Sequence, residues 1–147
     1  MEAVIRRGDG INDGILENAP EAEVVARQNA SNTDLGMKVT ESVLLAKPEV
    51  NVICACDDFT AIGAYEAVSA MQKIPDNFYI GGCDATDEGK EKMKVENSVY
   101  RSSCNLFPYE AGEDLAEAMY KYLTEKQEDA VVQRRYEPVW QRDVVEN

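Results

Sequence analysis

Three apolar runs in the sequence close on the same kind of residue pair: Cys56-Asp57, Cys83-Asp84 and Cys104-Asn105. If each run is a β-strand of one sheet, all three pairs fall at strand carboxyl ends, where open α/β sheets bind their ligands in a crevice. Two carboxylates and an amide in such a crevice suit a ligand rich in hydroxyl groups. Each carboxylate accepts two hydrogens, and a guanidinium donates several in a fixed fork. Arg7, one turn into the first helical segment, supplies that fork. The competing role for the same acidic side chains is helix capping, with Asp57 or Asp58 capping a helix that begins near Phe59 and Asp84 capping the next.

Other chemistries find less support. The chain has no histidine, which excludes Cys-His and Ser-His nucleophiles, and nothing in it suggests an enzyme. Cys54, Cys56, Cys83 and Cys104 could together hold zinc, but a C-x-C within a strand is not the C-x2-4-C turn of structural zinc sites. Lying inside apolar runs, they are expected to be buried free thiols, not a disulfide framework. Gly8-x-Gly10 lacks the preceding strand of a dinucleotide fingerprint, Asn29-Ala30-Ser31 is an isolated glycosylation sequon, and no cofactor is expected. A formal net charge of -13 would repel a phosphate backbone, so nucleic acid is not an expected partner. No apolar run approaches the roughly 20 residues of a membrane helix, and Met1-Glu2 opens without the basic and apolar regions of a secretory signal.

The elements that must position these groups follow from periodicity. Residues 21–28, 50–56, 77–83, 98–104 and 130–136 have strand length and β-rich composition. Between them, Leu35, Val39, Val43 and Ala46 form a stripe of 3.6-residue period, with Pro48 ending that helix. Ile62, Tyr65, Val68 with Ser69, and Gln72 form a second stripe, and Ala111, Leu115, Ala118, Met119 and Tyr122 a third after Pro108. Residues 86–96 make a shorter, more exposed helix. Alternation of strand and helix over 147 residues predicts one α/β domain, a doubly wound parallel sheet with helices on both faces. The chain opens with a helix from about Ala3 to Leu16, so a first strand is expected to be missing. Unpaired edges at 21–28 and 50–56 then make self-association an expectation.

Four segments bear a resemblance. Cys56-Asp57-Asp58-Phe59-Thr60-Ala61-Ile62-Gly63-Ala64 resembles the "N-D-x-x-A-x-G-A" segment of type I periplasmic sugar-binding proteins of the ribose and galactose type. Gly81-Gly82-Cys83-Asp84 is similar to their "V-G-x-D", Pro108-Tyr109-Glu110-Ala111-Gly112 to their "P-Y-x-x-G", and Arg7-Gly8-Asp9-Gly10-Ile11 to their "R-x-x-G-F". Taken in order, the four span nearly the whole chain as the C-terminal lobe of such a protein. The resemblance implies that Arg7 and Asp84 bind sugar hydroxyls and that Asp57 stands where the family has Asn. It also implies that Asn105 substitutes for a Gln replaced by Leu106, and that the stacking aromatic is replaced near Asn32. By the same resemblance, the parent binds a sugar or polyol between two lobes and presents it to an ABC transporter permease, in the periplasm or at the extracellular cell surface. This one lobe alone is expected to bind weakly. The effector-binding domain of a lactose-repressor-type regulator resembles the same family and is the alternative.

Overall fold

The computed structural model describes residues 2–126 and 136–146. Three of its helices start where a side chain satisfies a free N–H group of the first turn. Asn32 caps α2 (Thr33–Ala46), Asp57 caps α3 (Asp58–Ser69) and Thr86 caps α4 (Asp87–Lys94), accepting from Leu35 N, Thr60 N and Gly89 N respectively. The expected cap on α4 was Asp84. Thr86 takes that place because Asp84 and Ala85 turn through positive φ before the helix begins. Helix α1 spans Glu2–Asn18, and α5 spans Pro108–Glu125 with its proline in the first turn, where no N–H is needed.

Four strands form the sheet in the order β1 (Val52–Cys54), β2 (Tyr79–Gly81), β3 (Tyr100–Asn105), β4 (Glu137–Trp140). The first three are parallel, as expected, with Cys54 beside Gly81 and Gly81 beside Ser102. The fourth corrects the all-parallel expectation: β4 runs antiparallel to β3, with Cys104 opposite Pro138. Pro138 lacks an N–H and belongs on such an edge. Beyond β4 a short α6 (Gln141–Val145) folds back. Gln141 Nε2 donates to Met93 O at 2.8 Å, and Val144 packs against the core. Most of the expected strand at 130–136 lies outside the described residues.

The core lies between the sheet and helices α2 to α4, with Ile62, Val68, Phe78, Ile80, Met93 and Tyr100 almost wholly shielded from water. Burying each aliphatic or aromatic side chain contributes about 1.5 to 3 kcal/mol. Helices α2 and α3 meet through glycines. A Cβ on Gly36 would lie 2.6 Å from Thr60 O, and one on Gly63 would lie 2.7 Å from Met37 N. This close approach decides which face of α2 is buried. Gly36 and Thr40 face α3, whereas Leu35 is exposed and Val39 and Val43 only half-buried, so the expected stripe is rotated around the helix. The α5 stripe is displaced further: the helix forms, but none of its described residues is buried, and Leu115, Met119 and Tyr122 face solvent.

Residues 21–28 form no strand, contrary to expectation. An extended segment becomes a strand only by exchanging N–H and C=O bonds with a neighbour. The described residues give this segment no such ladder. Among the described residues its long-range hydrogen-bonding tether is Arg27, whose Nη2 donates to Asp9 Oδ1 at 2.6 Å and lies 3.5 Å from Ile5 O on α1. The outer edge of β1 likewise has no strand neighbour among the described residues, and Val52 and Cys54 are exposed there.

Candidate ligand-binding site

The parallel register brings the three strand ends level. The bonds Ala55 N to Gly81 O, Gly82 N to Ser102 O and Asp84 N to Cys104 O, all 2.8 to 2.9 Å, continue the ladder past the strands. Cys56, Cys83 and Cys104 therefore stand in one row, with Asp57, Asp84 and Asn105 each one residue beyond. Arg7 reaches this row from α1. Its Nη1 donates to the backbone carbonyl of Cys56 and lies 3.5 Å from Asp84 Oδ1. Arg7 and Asp84 each keep about a third of their side-chain surface accessible, 30% and 33%, so both are held and still open to a ligand.

Electrostatics at Asp84 are in tension. Burial raises its pKa above the ordinary carboxylate value, Arg7 pulls it down, and the neighbouring Asp58 and Asp57 push it up. Its backbone is also unusual, with φ of 107° followed by 49° at Ala85. A non-glycine residue there is held by its surroundings.

The remaining expected site residues are placed as follows. Asp57 Oδ1 accepts from Thr60 N at 2.8 Å, so the capping role is real, and its second oxygen is not needed for it. Asn105 Oδ1 accepts from Phe107 N at 3.0 Å and shapes the turn into α5, where Phe107 is left-handed. Asn32 caps α2 through Leu35 N at 2.9 Å, a bond within its own helix. The structure thus ties Arg7 and Asp84 directly, sets Asp57 and Asn105 at the neighbouring strand ends, and gives Asn32 a local role.

The thiols differ from expectation. All four are free, but only Cys83 is buried; Cys56 and Cys104 are half-buried and Cys54 is exposed. Burial pushes the Cys83 thiol up to about 11, against a smaller lowering by Arg7, so it is a poor nucleophile at neutral pH.

From the sequence, Asp58 is only a possible cap. The structure buries it completely, with four donors on its carboxylate: Thr86 N at 2.7 Å and Thr86 Oγ1 at 2.9 Å on Oδ2, Tyr100 Oη at 2.7 Å and Ser103 Oγ at 2.6 Å on Oδ1. The adjacent Asp57-Asp58 pair does not say which side chain caps and which turns inward, because the donors that hold Asp58 lie 28, 42 and 45 residues away.

Donor and acceptor groups set at the strand ends of a largely parallel α/β layer are the arrangement in which open α/β folds place a small-molecule crevice. The chain belongs to the periplasmic binding protein domain family, whose model matches residues 2–127. It is 37% identical over 93 residues to the ribose import binding protein RbsB of Haemophilus influenzae, a match covering 63% of this chain and 30% of that protein. Its fold is shared with the myo-inositol binding protein of Caulobacter (TM-score 0.83, 21% identity, 97% of this chain and 48% of that one). It is also similar to an ABC transporter solute binding protein from Bacillus halodurans solved with bound myo-inositol (TM-score 0.77, 25% identity, 92% and 46%). The chain thus spans less than half the length of the relatives it matches. These relatives are transport-associated binding proteins and not enzymes. No helix among the described residues is long and apolar enough to cross a membrane.

Proposed function

We propose that residues 1–147 are one ligand-binding lobe of a solute-binding protein, forming one wall of a cleft that closes on a sugar or polyol for an ABC-type importer. The observation that carries this reading is the Arg7–Asp84 pair, half-open at the level strand ends beside Asp57. A guanidinium that donates and carboxylates that accept can each take a ring hydroxyl, and nothing in the arrangement calls for bond-making chemistry. Asn105 adds an amide at the third strand end. Asn32 is included as a contact from the neighbouring helix terminus. The permease is a partner of the whole two-lobed protein, in the periplasm or at the cell surface.

The test is titration of the chain with D-ribose and myo-inositol, followed by backbone and guanidinium NMR. Weak, saturable shifts centred on Arg7, Asp57 and Asp84, lost in Arg7→Ala, are expected, because one lobe lacks the opposing contacts and the closure. Shifts confined to other surfaces, or tight binding unaffected by Arg7→Ala, would refute this site.

The exposed β1 edge carries a further proposal, that the chain associates with copies of itself through unpaired β1 backbone groups. Sedimentation at rising salt, which screens the net charge of -13, is expected to show increasing dimer. A monomer at all salt concentrations, even at high protein concentration, would dismiss the idea.

A further inference from the structure

We propose that Asp58 is the positioning residue of the strand-end site: it holds Asp84 in the backbone conformation that turns its carboxylate toward Arg7 and the ligand. The inference rests on the reading of Asp84 as a ligand contact. Asp58 itself is 0% exposed and meets no ligand.

The two residues after Asp84 carry the restraint. Asp84 and Ala85 both have positive φ, 107° and 49°, a conformation that an L side chain keeps only under restraint. Asp58 supplies the restraint twice. Its Oδ2 accepts directly from Thr86 N at 2.7 Å. Its Oδ1 accepts from Ser103 Oγ at 2.6 Å, and that hydroxyl oxygen in turn accepts from Ala85 N at 3.0 Å. Both amides that follow Asp84 are therefore anchored to a single carboxylate carried by another element.

The donor set is matched to a carboxylate and to nothing else. Ser103 Oγ accepts from Ala85 N, and Thr86 Oγ1 accepts from Gly89 N at 3.1 Å, so each hydroxyl has its hydrogen left for Asp58. Tyr100 Oη supplies another hydrogen. Every group facing Asp58 donates, and an ionised carboxylate is the side chain that only accepts. The surrounding backbone is cleared for it as well. A Cβ on Gly82 would lie 2.5 Å from Asp58 Oδ1, and one on Gly89 would lie 2.6 Å from Asp58 Oδ2.

Asp58 also begins α3 directly after Asp57. One residue pair thus divides two tasks: Asp57 stays at the site and Asp58 fixes the loop across the sheet.

The test is amide hydrogen exchange on the full chain, comparing the native protein with Asp58→Asn. The amide nitrogen of Asn would face donors, so protection at Ala85 and Thr86 should fall at least about tenfold further than at Ile80 or Val68. Equal loss at all four positions would overturn the proposal, because a residue that only stabilises the core has no reason to favour the loop. Ser103→Ala, which removes one tether, should release Ala85 while leaving Thr86 protected; it decides the matter if Asp58→Asn fails to fold. Ribose titration of the same variants is the second readout. If the native chain shows no sugar-dependent shift at Asp84, the ligand reading fails. The exchange pattern still tells whether Asp58 holds the loop. If the native chain binds and Ser103→Ala binds equally well with Ala85 released, positioning is refuted and the ligand reading stands.

Discussion

Arg7 Nη1 stands between two acceptors contributed by different strand ends, the carbonyl of Cys56 and the carboxylate of Asp84 at 3.5 Å. One cation on α1 therefore ties the end of β1 to the loop after β2, across gaps of 49 and 77 residues. Gly8, one residue on, also approaches the Cys56 thiol, and none of the described residues of α1 is buried.

Arg7→Lys should separate binding from folding. A lysine keeps the charge but loses the planar fork, so one of the two bonds is given up. Charge-assisted bonds contribute about 1.5 to 3 kcal/mol, so sugar affinity should fall by about tenfold or more by titration. Stability should change by less than about 1 kcal/mol, because the ion pair is partly solvated. An unchanged affinity would remove Arg7 from the site.

Asp84→Asn should alter the acid profile of stability. The Asp84 pKa is raised from 3.8, chiefly by burial, so between the unfolded and folded values the folded state binds the proton more strongly. Its contribution is then fully present below the unfolded value and is lost as pH rises through the folded one. The asparagine variant should lose less stability over that window above 3.8 and should tolerate the positive φ. Thermal melts from acid to neutral pH would show it. A steeper loss with rising pH in the variant would contradict the direction.

The α2–α3 contact gives a paired test. Gly63→Ala forces a methyl group against the α2 backbone near Met37 N and should cost on the order of 1 to 3 kcal/mol, seen as a lower Tm. Gly112→Ala on α5 meets nothing within 4 Å and should instead stabilise by about 0.5 to 1 kcal/mol, the ordinary helix preference for alanine. Equal effects from the two would mean that the helices do not meet at Gly63.

Tyr100 should set the alkaline limit. Burial, with the Asp58 carboxylate beside the hydroxyl, drives its pKa far above the ordinary 10.0. The folded state thus keeps a proton that the unfolded state releases, and stability is lost as pH rises above 10.0. Tyr100 should form phenolate only on unfolding, observable by near-ultraviolet absorbance against the Tyr100→Phe variant. Tyr100→Phe should flatten the alkaline loss while costing about 1 to 3 kcal/mol at neutral pH, since Asp58 loses a donor.

The parts of the fold written in the sequence were those that depend on neighbours close in the chain. Three parallel strands with level carboxyl ends, the Asp57 cap of α3 and the start of α5 at Pro108 followed from period, caps and Pro108. The family resemblance agreed with them. The burial of Asp58 was not legible, because its donors Thr86, Tyr100 and Ser103 lie 28, 42 and 45 residues away. The α2 stripe was misassigned for a related reason: hydropathy favours Leu35 and Val43, whereas backbone approach at Gly36 and Gly63 decides what is covered. At 21–28 the side chains have strand character, but a strand also needs a partner, and composition cannot supply one. The antiparallel β4 was hidden by Pro138, which interrupts the pattern it belongs to.

The exposure of α5 has a consequence for digestion by proteases. Tyr109, Tyr120 and Tyr122 are 75%, 65% and 55% exposed, and a protease that cuts after aromatic residues would find them on a helix that no described residue buries, while Phe78 and Tyr100 are enclosed. Brief treatment should nick the chain within α5 or after Tyr136, which is 74% exposed, before it reaches the enclosed aromatics. The larger product would retain β1 to β3 and the helices joined at Gly36 and Gly63, and with them Arg7, Asp57, Asp84 and Asn105.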